Sequence, residues 1–225
     1  MRYFTQIKAL LWKDLVSEFR TREMVSSMLI FSFLVTVVFS FAFEPDSETV
    51  KQVFPGIIWV AFIFAGILGL NRSFINEKSN DCIMGLMSAA VDKGVIFLGK
   101  MTGNFIFMIV MEAVTLPILF VLFDYRMKGS PASLILVVIL GTQGFVAVGT
   151  FLSALSVNTR NSEVLLPIIL FPLITPLLIA AVKATGIILT GGEFAEWSNW
   201  LTILLAFDII FTIIPWFLVD YVLEV

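Results

Sequence analysis

This sequence predicts an all-α polytopic membrane protein, with six transmembrane helices preceded by an amphipathic helix at the membrane interface. Six stretches, at 25–43, 54–70, 101–123, 132–157, 164–182 and 200–223, are long and apolar, and none contains Lys or Arg. A helix rises about 1.5 Å per residue and a bilayer's hydrocarbon core is roughly 30 Å thick, so runs of this length cross it. The composition agrees: 59% of residues are hydrophobic, 23 are Phe, and the mean hydropathy is +1.02. Backbone amides in lipid must bond within their own segment, and no run shows the strict alternation of a transmembrane strand. The spans and their connections use nearly all 225 residues as one transmembrane domain, leaving no room for a separate enzymatic unit.

Residues 1–24 form the expected interfacial helix. Phe4, Ile7, Leu11, Leu15 and Phe19 recur at spacings of three and four, giving one apolar face beside Lys8, Lys13, Asp14, Glu18, Arg20, Arg22 and Glu23. Such a helix lies in the interface as an anchor or docks on a partner. The mixed charge of this segment does not resemble a cleaved signal peptide, so it is expected to be retained. Segments 1–24, 71–100 and 158–163 hold ten of the 14 Lys and Arg, which favours cytoplasmic placement of both termini.

Loop 44–53 is acidic and carries Pro45, as suits an outer turn, and Trp59 is expected to anchor the second span at the interface. Ala61, Ala65, Gly66 and Gly69 in that span supply a small-residue face, as do Gly141, Gly144, Gly149 and Ser153 in the fourth. Such faces, with Thr142, Gln143 and Thr150 beside them, serve packing or transport. The fifth span contains Pro167, Pro172 and Pro176, each of which removes an amide donor, so a kinked or partly unwound helix is expected. It is either a static kink or a hinge.

Glu112 and Asp208 lie inside the third and sixth spans, where a charge costs roughly 2.5–3.5 kcal/mol even on a mild insertion scale. No basic residue lies at matching depth. Either the carboxyls share interhelical hydrogen bonds, or they line a proton or substrate path. Gly94, Gly99 and Lys100 spell G-x-x-x-x-G-K, but Met101 stands where a hydroxyl should bind magnesium and no strand precedes. That match is a coincidence, with Lys100 expected at the headgroups. The chain has no His and one cysteine, Cys82, which excludes imidazole chemistry, an intramolecular disulfide and multi-cysteine metal sites. No nucleic-acid partner is expected. Work done across the membrane would draw on an ion gradient or a separate ATPase. Segment 71–100, with Phe74, Ile75, Ile83, Leu86 and Met87 beside Glu77, Lys78 and Asp81, is the candidate to receive it, or is an interfacial helix touching only lipid.

Several segments together resemble the haem exporter protein B family of bacterial cytochrome c maturation. They are Lys13, Asp14 and Leu15 with Glu18, Arg20, Arg22 and Glu23; Pro55 to Ala61 with Phe64, Ala65, Arg72 and Glu77; and Gly99, Lys100 and Asn104. The proline-rich fifth span, Ala206-Phe207-Asp208 and the closing Tyr221 to Glu224 continue the likeness, which runs nearly end to end. One departure is Asp92-Lys93, where that family suggests a proline-containing turn. The resemblance implies an ABC-2 (type II exporter-like) permease in the bacterial inner membrane, not itself an enzyme, present as two copies. It further implies a separate ATPase subunit that binds ATP and magnesium, a tryptophan-rich haem-handling membrane protein and a periplasmic haem chaperone. ATP use would be linked to haem delivery or release of the loaded chaperone, with no cofactor or metal bound by this chain directly. The implied ATPase-coupling residues are Lys13, Asp14, Glu18, Arg20, Arg22, Glu23, Arg72, Glu77, Asp81 and Leu86. Three other readings stay open: an ABC-2 permease for a lipid, polysaccharide or drug; a scaffold for haem-handling proteins that moves nothing; and a proton-coupled carrier using Glu112 and Asp208.

Overall fold

A backbone in lipid has to satisfy its own hydrogen bonds, and every regular element among the described residues is a helix. The computed structural model describes residues 2–43, 47–79, 92–156 and 162–222, without the side chains of 2, 73–79, 156, 162–165 and 220–222. The helices are α1 (Arg2–Thr21), α2 (Glu23–Ala42), α3 (Glu48–Ser79), α4 (Lys93–Leu122), α5 (Pro131–Ser156), α6 (Ser162–Thr190) and α7 (Phe194–Val222). The six from α2 to α7 are long and apolar enough to cross a membrane.

Helicity outruns apolarity at several ends. α3 begins at Glu48, inside the expected turn, because Ser47 caps it: the Ser47 hydroxyl accepts from the Val50 amide at 3.2 Å, and Lys51 pairs with Glu48 at 2.9 Å one turn on. α4 begins at Lys93 because Asp92 caps it, its carboxylate accepting from the Gly94 amide at 2.8 Å. The capped start occupies the position of the expected proline turn, and Gly94, Gly99 and Lys100 all sit within a helix rather than a phosphate loop. α6 runs on past 182 to Thr190 and closes at Gly191 (φ 85°), whose amide donates to the Ile188 carbonyl while Gly192 donates to Ile187.

The prolines of α6 do not unwind it: the helix is unbroken through Pro167, Pro172 and Pro176, a correction to the partly unwound alternative. Pro172 and Pro176 lie on its exposed side, and between them the Thr175 hydroxyl donates to the Phe171 carbonyl at 2.8 Å.

α5 is the central post, packed against α3, α4, α6 and α7. Lipid offers no hydrophobic drive between helices, so close approach over small residues has to hold them. The Trp59 ring fills the notch at Gly141 of α5, and its indole N–H donates to Thr185 of α6 at 3.0 Å. Trp59 is therefore buried in the bundle rather than anchored at an interface, because it finds both a glycine-sized recess and an acceptor there. Gly66 likewise admits Phe145 and Met108, and Gly69 admits Met28.

A methyl group at Gly141 would overlap the Trp59 ring, whereas one at Gly56 would meet nothing within 4 Å. Gly141→Ala is therefore expected to destabilise by ~1–3 kcal/mol through overpacking, and Gly56→Ala to leave stability unchanged or raised. Thermal unfolding of the two variants in detergent checks this.

Candidate functional site

Charge gathers where α1 meets the beginnings of α2 and α4 and the later part of α3. Arg22 turns the corner between α1 and α2 in the left-handed conformation (φ 54°), its amide donating to the Glu18 carbonyl at 2.7 Å. The Glu18 carboxylate then accepts from the Val25 amide at 2.8 Å, satisfying a first-turn donor of α2 and placing negative charge at its positive end. Arg72 of α3 reaches Glu23, donating to its carbonyl at 3.3 Å with the carboxylate 4.0 Å away.

α1 has three faces. Ile7, Leu10, Leu11 and Leu15 are half-buried and turn inward, with Leu10 against Gly99 and Leu11 near Gly103 of α4. A Cβ at Gly99 would stand 3.2 Å from Leu10 Cβ, so the Gly99-x-x-x-Gly103 pair gives α1 a smooth seat. Phe4, Trp12, Val16 and Phe19 are exposed, as a surface meeting acyl chains would be. Phe4 and Phe19 therefore do not share one face with Ile7, Leu11 and Leu15; the apolar residues divide between a protein-facing and an outward strip. Arg20 and Arg22 are exposed as well.

One ion pair secures the seat. Lys100 Nζ of α4 lies 2.9 Å from Asp14 Oδ2 of α1, with side chains only 7% and 13% exposed, and Lys13 approaches the other Asp14 oxygen at 3.3 Å. Removing Lys100 leaves the Asp14 carboxylate to Lys13 of its own helix and takes away the charge that holds it to α4. Lys100 is thus a clasp between helices rather than a headgroup anchor. Of the residues singled out in the sequence, the structure gathers Asp14, Lys13, Glu18, Arg20, Arg22, Glu23 and Arg72 at this end. Glu77 lies on α3 with its side chain outside the described residues, and Asp81, Cys82, Ile83, Leu86 and Met87 lie outside them altogether. The Gly99–Gly103 spacing was the available signal for the seat.

The intramembrane carboxyls approach different faces of α5. Glu112 of α4 accepts from the Thr142 hydroxyl at 2.6 Å, while its second oxygen has no partner among the described residues. Asp208 of α7 lies against Gly144, beside which Leu177 also sits, and neither carboxyl oxygen has a donor among the described residues. Glu112 therefore shares an interhelical hydrogen bond, as the sequence allowed, and Asp208 makes none among the described residues. Two further buried links run between helices: Ser32 with Thr115 at 2.9 Å and Asn104 donating to Thr150 at 3.1 Å.

Lys100→Met is expected to lower stability by ~1–3 kcal/mol, below the full cost of stranding a buried charge because Asp14 keeps Lys13, and to release α1 to limited proteolysis. Asp14→Asn with Lys100→Met should recover much of the loss, read by melting temperature. Thr142→Val, which removes the donor to Glu112, should cost about 1 kcal/mol, the order of an interhelical hydrogen bond in membranes.

Heme exporter protein B of Haemophilus influenzae is 27% identical over 187 residues, covering 81% of this chain and 84% of that protein. The Pseudomonas aeruginosa protein of that name is 26% identical over 198 residues, covering 86% of each. That of Rhodobacter capsulatus is 28% identical over 175 residues, covering 77% of this chain and 79% of its own. The family model described as CcmB protein matches residues 5–225, taking in α1 beyond its first residues, its seat on α4 and all six membrane-length helices. The chain belongs to the CcmB protein family.

Proposed function

We propose that this chain is the permease subunit of a haem-exporting ABC transporter serving cytochrome c maturation, of the ABC-2 type, and that a separate subunit supplies the ATPase. The observation that carries this reading is the Asp14–Lys100 clasp. A surface helix joined to a membrane-spanning helix by a buried ion pair and a glycine seat moves with it as one body. A push on α1 is then delivered to α4, which carries Glu112 into the centre of the bundle. Small shifts at such an effector site become rigid-body displacements because packed helices do not deform continuously.

The ATPase, with its ATP and magnesium, meets the exposed side of α1 that carries Arg20, with Arg22 at the corner after it, together with the segment after Arg72 that includes Glu77, Asp81 and Leu86. Two copies of each subunit assemble in the bacterial inner membrane with both termini cytoplasmic, as the distribution of Lys and Arg favours. The tryptophan-rich haem-handling membrane protein and the periplasmic haem chaperone complete the complex. Haem is handled by those partners, and the stroke passed through α1 and α4 serves haem delivery or release of the loaded chaperone. The names of the relatives support the haem assignment.

Affinity capture of the tagged chain from native membranes in mild detergent, with mass spectrometry, tests the assembly. Recovery of a P-loop ATPase together with a tryptophan-rich haem-handling protein is expected; an ATPase without haem proteins would contradict the haem assignment. Arg20→Glu combined with Arg22→Glu, both exposed, should reduce ATPase recovery by roughly tenfold, the scale of altered interfacial charges. A scaffold that moves nothing would instead tolerate variants that abolish ATP-driven turnover.

A further inference from the structure

At the end of the bundle opposite α1, a cleft of about 630 Å³ opens between the start of α3, the connection from α4 to α5 and the end of α6. Its wall carries three cations, Lys51, Arg126 and Lys128, and one carboxylate, Glu48. Glu48 pairs with Lys51 at 2.9 Å. Among the described residues Arg126 and Lys128, both exposed, have no acidic partner, so the cleft keeps a net positive charge.

The connection bearing these cations is held in place. The Lys128 amide donates to the Leu189 carbonyl at 3.1 Å, and Gly129 lies so close to the Ile188 carbonyl that a side chain would strike it. The Tyr125 ring stacks on Phe54, with centroids 4.5 Å apart. Burial pushes the Tyr125 hydroxyl above its ordinary pKa, with the Lys51 charge opposing, so it stays protonated and able to donate at neutral pH. Pro55 and Leu189 make the cleft's wall apolar beside the charges.

Its position decides the occupant. The cleft lies where membrane-length helices end: α3 and α5 begin there and α4 and α6 finish. That is the depth of lipid headgroups, and an apolar wall beside unneutralised cations complements a phosphate carried on acyl chains. We propose that this cleft is a binding site for the headgroup of an anionic phospholipid, with Arg126 and Lys128 contacting its phosphate.

The test is native mass spectrometry of the detergent-purified chain, titrated with phosphatidylglycerol or phosphatidylcholine of identical acyl chains. Wild type should retain phosphatidylglycerol with a preference of roughly thirtyfold, the scale of about two surface cations acting on one headgroup. Arg126→Gln with Lys128→Gln should erase the preference. Lys183→Gln, at an exposed lysine of α6 outside the cleft, should keep it. Both substituted residues are exposed and carry no ion pair among the described residues, so the double variant should melt like wild type without added lipid and lose only the stabilisation by phosphatidylglycerol. Equal retention of the two lipids, or an unchanged preference in the double variant, would overturn the site. Displacement of phosphatidylglycerol by inorganic phosphate at comparable concentration would assign the cleft to a soluble anion and overturn the lipid as its occupant.

Discussion

A lysine and a carboxylate, nearly sealed from solvent where α1 crosses α4, set how this molecule can work. Without Lys100, Asp14 would keep only Lys13 of its own helix, and no charge among the described residues of α4 would hold it there. With it, the inward strip of α1 is pinned over Gly99, and its apolar residues Trp12, Val16 and Phe19 are set facing outward. The corner at Arg22 and the Glu18 cap then leave α2 a fixed direction of departure. The polar end is thus a connected structure of three junctions, α1 to α4, α1 to α2 and α2 to α3, each made by a different charged residue.

Within the hydrocarbon depth the same economy of contacts recurs in uncharged form. Trp59 joins α3, α5 and α6 by occupying a glycine notch and donating one hydrogen bond. Ser32 with Thr115 ties α2 to α4, and Asn104 with Thr150 and Glu112 with Thr142 tie α4 to α5. α4 is therefore both the helix clasped by α1 and a helix held to the central post by side-chain bonds at Thr142, Gln143 and Thr150. The Asp208 carboxyl stands apart: it packs on Gly144 without a donor among the described residues. Among the described residues no side-chain hydrogen bond joins α7 to α5 or α6, so that boundary is held by packing alone.

The spans were legible in the sequence because a bilayer demands length and apolarity at once, and few other structures demand both. The ends were less so, since α3 and α4 continue into polar sequence under the caps of Ser47 and Asp92, which apolarity does not register. Capping chemistry was present in the letters and was outweighed by hydropathy. Trp59 shows a different limit: interfacial and interior tryptophans read alike until the distant Thr185 and Gly141 are brought beside the ring. The charged residues of the α1 end were recognisable as a group, yet their individual duties were not. Glu18 caps a helix, Asp14 pairs across helices, and Arg20 faces outward, distinctions that depend on the turn at Arg22 and on contacts with α4.

The most direct test of the clasp as a transmitting element is a disulfide placed across it. Leu10→Cys with Gly99→Cys, in a background with Cys82 changed to Ser, puts two Cβ atoms about as close as a disulfide requires, given the 3.2 Å separation at these positions. If α1 and α4 move as one body, the bond should form in native membranes under mild oxidation and leave the proposed role in cytochrome c maturation intact. Failure to cross-link, or loss of maturation that is restored on reduction, would show that α1 must leave its seat during the cycle and would contradict the account.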